Sequence, residues 1–159
     1  MKKIFTIIAL TVLFNTNAQI DDNSSDVSAT GSFSVAMGYE TTASGYGSTA
    51  MGDATTASGN SSTAMGDATT ASGVGSTAMG GGTTASGNYS TVMGGYTLAS
   101  GYASTAMGES TSASGYYSTV MGLNSKASDY GSLVIGQFNS SGSSVTSSAT
   151  AFSTANTAF

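Results

Sequence analysis

The sequence holds no cysteine, proline, tryptophan, histidine or arginine, and charged residues make up only 7% of its 159 positions. Without histidine or cysteine the usual general bases, thiol nucleophiles and soft metal ligands are gone. Scattered carboxylates, many hydroxyls and Lys2, Lys3 and Lys126 remain. The expectation is a protein that is not an enzyme, with no catalytic residue, no cofactor and no metal. Long apolar runs are scarce as well. The one present spans residues 4–14, follows Lys2 and Lys3, and leads to the small residues Thr16, Asn17 and Ala18. That is the layout of an export signal over residues 1–18, cut after Ala18. A membrane-spanning helix, the other reading, needs about 20 apolar residues. Removal of the leader leaves Lys126 against eight acidic residues, a net charge of −7, so nucleic acid is not an expected partner. An exported chain without cysteine has no disulfides to hold it, and another source of stability is required.

What the sequence does have is glycine, at strict intervals. Gly38, Gly52, Gly66, Gly80, Gly94, Gly108, Gly122 and Gly136 fall fourteen residues apart, and a second column from Gly31 to Gly115 runs at the same spacing midway between them. A unit this short is one coil of a β-solenoid, unable to bury a face alone and stable only when stacked. Each unit carries Ser-Thr-Ala-Met-Gly, as at residues 48–52, 62–66 and 76–80, followed by Thr-Ala-Ser-Gly, as at residues 42–45, 56–59 and 70–73. The expected organisation is a lead-in over residues 19–30, eight coils over 31–142, and a tail rich in Ser, Thr and Ala over 143–159 that reads as the start of a further repeat cut short.

Fourteen residues are also two heptads, so a coiled coil has to be excluded. Two glycines per unit would cost a helix roughly 2 kcal/mol relative to alanine, and no stripe of large apolar residues offsets that. With a period of two, Ser48, Ala50 and Gly52 share one strand face while Thr49 and Met51 share the other. Two strands of four or five residues and two tight corners then complete a coil, with both glycine columns placed at the corners, where φ is positive and bulk is excluded.

The faces of so thin a coil lie no more than about 10 Å apart, so only small side chains fit between them. Ser48, Ala50, Ala57 and their equivalents are assigned inward. Met37, Met51, Met65, Met79, Met93, Met107, Met121 and Ile135 then face outward beside Val35, a file of threonines and Leu133. The alternative turns methionine in and alanine out. Ordering one coil costs on the order of 20 kcal/mol, and an alanine-lined interior recovers little of it. A long apolar stripe is also something soluble monomers avoid. A homo-oligomer in which identical stripes meet on a shared axis resolves both problems.

Alternation of Ser-x-Ala-Met-Gly with Thr-x-Ala-Ser-Gly behind a signal peptide resembles the YadA-like head repeats of trimeric autotransporter adhesins, whose comparable motif is Ser-Val-Ala-Ile-Gly. Ser34-Val35-Ala36-Met37-Gly38 and Ser132-Leu133-Val134-Ile135-Gly136 come closest, and the similarity covers residues 31–136. The resemblance implies a left-handed parallel β-roll in the all-β class, a homotrimer, display at the cell surface or outer membrane, and adhesion to a host extracellular-matrix or cell-surface protein. The family's heptad stalk and membrane β-barrel are not seen in these residues, and the chain is expected to be a fragment followed by a stalk, a barrel or an intramolecular chaperone domain. In the last case the repeats form the shaft of a surface or phage-like fibre.

Several surface features stay open at this point. Tyr39, Tyr46, Tyr89, Tyr96, Tyr102, Tyr116, Tyr117 and Tyr130 lie beside the glycines, either as contact residues or as corner packing. Asp53 and Asp67 fall at equivalent positions of successive coils, a solvated surface or a calcium site. Thr49 and its equivalents, with the pairs Thr55-Thr56, Thr69-Thr70 and Thr83-Thr84, make threonine ladders of the kind ice-binding solenoids display.

Overall fold

In the computed structural model the described residues are 18–20 and 26–141, and among them every regular element is a strand. All but the last residue of the leader expected over residues 1–18, and the tail 143–159, lie outside them. One nine-stranded sheet contains β1 (Ala18–Ile20), β3 (Val35–Tyr39), β5 (Thr49–Asp53), β7 (Thr63–Asp67), β9 (Thr77–Gly81), β11 (Thr91–Gly95), β13 (Thr105–Glu109), β15 (Thr119–Leu123) and β17 (Leu133–Gln137), in that order. The second, also nine-stranded, contains β2 (Ser28–Ala29), β4 (Thr42–Ala43), β6 (Thr56–Ala57), β8 (Thr70–Ala71), β10 (Thr84–Ala85), β12 (Leu98–Ala99), β14 (Ser112–Ala113), β16 (Lys126–Ala127) and β18 (Ser140–Ser141). Every pairing is parallel and in register, so Met51 lies against Met65 and Ala57 against Ala71. This is the parallel β-solenoid of about eight fourteen-residue coils that the glycine spacing predicts. β1 pairs with β3 through Ala18, Gln19 and Ile20, and the expected cleavage point falls inside that strand.

The alternation along the long strands agrees with the inward and outward assignment. Ser48 and Ala50 are fully buried, whereas Thr49 and Met51 are half-buried on the outer side. The core is one continuous cluster of small apolar side chains from both sheets, alanine at most positions and valine at Val27, Val92, Val120 and Val134. Methionine does not turn inward, because the space between the two sheets is filled by methyl and hydroxymethyl groups.

The second strand of each coil is shorter than expected, two residues rather than four or five. The hydrogen bonds supply the reason. The Ala71 carbonyl accepts from both Ser58 N–H at 3.0 Å and Gly59 N–H at 3.2 Å, and two donors converging on one acceptor end the ladder and curl the chain. Gly59 sits in that curl, in the column from Gly31 to Gly115, but without the positive φ expected of a corner; a Cβ there would press on the backbone of Gly73 in the next coil. The following turn is closed by Ser62 N–H donating to the Gly59 carbonyl at 3.2 Å.

Gly38, Gly52, Gly66, Gly80, Gly94, Gly108, Gly122 and Gly136 are placed differently from the expectation. Each is the fourth residue of a five-residue strand, before the corner rather than at it. At Gly66, φ is +126, and a Cβ there would press on the backbone of Gly80 in the next coil. These glycines serve close approach along the stack, and at Gly52 the strict in-and-out alternation therefore ends. The corners themselves turn on residues of mixed identity in the left-handed region, among them Ala54 (φ 50), Ser61 (φ 55), Ala68 (φ 51), Tyr89 (φ 59) and Tyr117 (φ 58). Hydrogen bonds to the preceding coil hold them there, such as Ala68 N–H donating to the Asp53 carbonyl at 2.9 Å.

Candidate functional site

The outward face of the long-strand sheet carries two parallel files of side chains. Thr49 and Met51 alternate with the buried Ala50, and in-register pairing repeats this in every coil. The result is a ribbon of Met37, Met51, Met65, Met79, Met93, Met107, Met121 and Ile135 beside Val35, the threonines and Leu133. Fold position thus brings all eight residues of the expected interface onto one face.

Stacking already shelters much of this ribbon, which the sequence reading did not anticipate. Each methionine is half-buried in the single chain because side chains of adjacent coils stand on one another. At the end of the stack this shelter falls away, and Ile135 is 54% and Leu133 64% exposed. The ribbon is therefore a flat apolar strip. Its widest apolar exposure lies at the β17 end, where Met121, Leu123, Ile135 and the neighbouring glycines line a shallow open depression.

Along its corner side the strip is bordered by Tyr39, Asp53, Asp67 and Glu109. Asp53 and Asp67 are register partners, but the next position is Gly81, and among the described residues no group of three acidic or other ligand-type side chains could hold a metal ion. Glu40 acts on the rim phenol of Tyr39: its hydrogen bond first, and its charge second, raise that phenol above the ordinary value of 10.0.

The threonine pairs do not form a two-column array. Thr55 is fully buried and Thr56 faces out, so each coil presents one outward threonine on the second sheet, and Leu98, Ser112 and Lys126 interrupt that file. The file from Thr49 to Thr119 on the long-strand sheet is unbroken, but it runs beside the methionines. Of the tyrosines, Tyr39 and Tyr96 lie at the corner that follows the long strand, and the other six at the opposite corner. The second group makes ring contacts between successive coils, which the sequence reading had left as one of two roles. Among the described residues no helix is long and apolar enough to cross a membrane.

Compared with known families, the chain matches the YadA head domain repeat, a two-copy unit, at residues 29–55, 43–69, 71–97, 99–125 and 113–139. No curated protein matches it.

Proposed function

From the chain's membership of the YadA head domain repeat family, we propose that these coils form the head of an exported trimeric adhesin. In this reading Met37, Met51, Met65, Met79, Met93, Met107, Met121 and Ile135 are shared between three copies around one axis. The family is of the trimeric autotransporter adhesin type, and its fold is that of structural adhesins rather than enzymes. Display at the cell surface and attachment to a matrix or cell-surface protein follow from the same type.

One observation carries the proposal: an unbroken, in-register apolar ribbon on the outer face of a sheet whose inner face is already filled. Half-buried methionines each retain part of the roughly 1.5–3 kcal/mol that full burial of such a side chain contributes, and trimer formation would recover it along the whole stack. The strip is flat and sparse in charge, as an interface between identical copies requires.

The test compares two single substitutions by light scattering on the purified chain. Met79→Asp places a carboxylate in the middle of the ribbon and is expected to yield monomers, while Asp67→Ala, on the bordering rim, stays trimeric. Two trimeric variants would refute the interface, and a wild-type monomer at micromolar concentration would refute the trimer. Attachment is read as saturable binding to matrix proteins or cells, lost on dissociation of the trimer. The near-identity of successive coils also favours a second reading, a shaft that sets distance. Removal of residues 59–86, two whole coils, would then shorten the particle and leave any attachment unchanged.

A further inference from the structure

One corner of the coils carries a file of tyrosines that neither the core nor the methionine ribbon uses. Tyr89, Tyr102, Tyr117 and Tyr130 zigzag across four successive coils, and Tyr116 stands directly above Tyr102. Ring centroids are 5.5 Å apart for Tyr89 and Tyr102, 5.6 Å for Tyr102 and Tyr117, 5.5 Å for Tyr117 and Tyr130, and 6.0 Å for Tyr102 and Tyr116. The first three pairs are edge-to-face, with interplanar angles of 70–76°. Four of the five rings are nevertheless open to solvent, Tyr130 by 77% and Tyr117 by 51%, while Tyr102 is half-buried among them.

The backbone indicates that these rings are placed at a cost. Tyr89 and Tyr117 occupy the left-handed region at φ 59 and 58, where Gly47, Gly75 and Gly131 stand in other coils at φ 62 to 64. A bulky side chain is uncommon in that region, and it persists where something else fixes it. Here Tyr117 N–H donates to the Tyr102 carbonyl and Gly131 N–H to the Tyr116 carbonyl, both at 2.8 Å, so the corner keeps its register while carrying the rings. A flat polymer lying along the stack would need a run of coplanar ring faces, and only Tyr102 and Tyr116, tilted by 36°, come near that; the zigzag pairs are turned by 70° or more. What this arrangement provides is phenol rings held edge to face at contact distance and reachable from outside.

We propose that this file is a site of oxidative tyrosine coupling, in which neighbouring rings of successive coils become joined as dityrosine. The oxidant is of the haem peroxidase class, supplied with hydrogen peroxide. Each of two phenols gives up one electron and one proton, the two radicals join through ortho carbons, and the two displaced ring protons return to the oxygens to restore both phenols. One hydrogen peroxide takes up the two electrons and two protons and leaves as two waters. The chain has no cysteine with which to tie one coil to the next, and such links would tie four coils covalently.

The full chain is treated with a haem peroxidase and limiting hydrogen peroxide, then assayed for dityrosine fluorescence and by peptide mass mapping. Links joining Tyr102 to Tyr89, Tyr116 or Tyr117, and Tyr117 to Tyr130, each lighter by two hydrogens, are expected. In a mixture of isotopically light and heavy chains they fall within one chain. Tyr102 belongs to three of the four tyrosine pairs, so Tyr102→Phe, which keeps a ring in the stack, should lose all links but that of Tyr117 with Tyr130. Tyr96→Phe should change nothing. Tyr46 should form no link with its ring partner Phe33, 5.5 Å away, which has no phenol. Absence of dityrosine in the folded chain, links chiefly between chains or through Tyr39 or Tyr96, or an unchanged yield in Tyr102→Phe would each overturn the proposal.

Discussion

Replacement of Gly66 by alanine adds one methyl group to a protein built of small side chains, yet it should be among the most damaging changes available. The new Cβ would lie 2.9 Å from the carbonyl carbon and 3.0 Å from the nitrogen of Gly80, and closer still to its carbonyl oxygen, all of them backbone atoms with no rotamer to escape into. Relief requires the two coils to part by about 1 Å, past the reach of ordinary contact. Gly82 N–H to the Asp67 carbonyl and Thr63 N–H to the Ser76 carbonyl, both 2.9 Å, bridge the same two coils and would lengthen beyond bonding range. Each lost bond is worth about 0.5–1.5 kcal/mol, and a non-glycine residue forced to φ +126 adds about 1–3 kcal/mol. The sum is about 4 kcal/mol, a large part of the ~5–15 kcal/mol that holds a domain folded. The control is Gly81→Ala, the last residue of β9, where an added Cβ meets nothing within 4 Å and φ is not left-handed. That change should be neutral or stabilise by about 0.5–1 kcal/mol. Chemical denaturation followed by circular dichroism measures both. If Gly66→Ala unfolds within about 1 kcal/mol of wild type, or if the two variants fall together, the close-approach argument is refuted.

Other substitutions test the interior and the rim. Thr69 is fully buried and its Oγ1 has no protein partner, so Thr69→Val, a change of like shape, should stabilise by about 1 kcal/mol, and a loss of similar size would show that the hydroxyl is satisfied after all. Ala64 lies in the column that already accepts Val92 and Val120; Ala64→Val should therefore cost under about 1.5 kcal/mol, while Ala64→Phe should abolish the strand signal in circular dichroism. Because the Tyr39 phenol is raised above 10.0, stability linked to it is complete below that pH and lost as pH climbs through the raised value. An ultraviolet titration should show the Tyr39 step, identified by its loss in Tyr39→Phe, moving down in Glu40→Gln, and an unmoved step would remove Glu40 as the cause.

Much of the fold was legible because a solenoid repeats its physics. The fourteen-residue period, the strand alternation and the need for small inward groups placed Ser48 and Ala50 inside and Met51 outside, as the structure has them. The role of the Gly52 column was not legible. Glycine marks both a left-handed corner and a backbone too close for a Cβ, and one sequence column cannot say which. The true corner positions left no signal, since Glu40, Ala54, Ala68, Tyr96, Ser110 and Asn124 share a conformation and nothing else. The threonine pairs were misread as one ladder because the short strand's phase was not followed through; alternation carried from Ala57 back to Thr55 puts that residue inside. For the candidate interface, membership of the methionine file was readable by position. Its half-buried state was not, since it arises from contacts between coils.

The hydrogen bonds between coils run along the length of the stack, so a pull on its two ends loads them directly. Under tension the outermost turn would peel away first, leaving the next one intact behind it. Each turn released yields about 45 Å of slack from fourteen residues at full extension, in place of the roughly 5 Å it occupied when folded. A rod of this kind gives way by stages and lengthens as it does so, which spreads a sudden load over time.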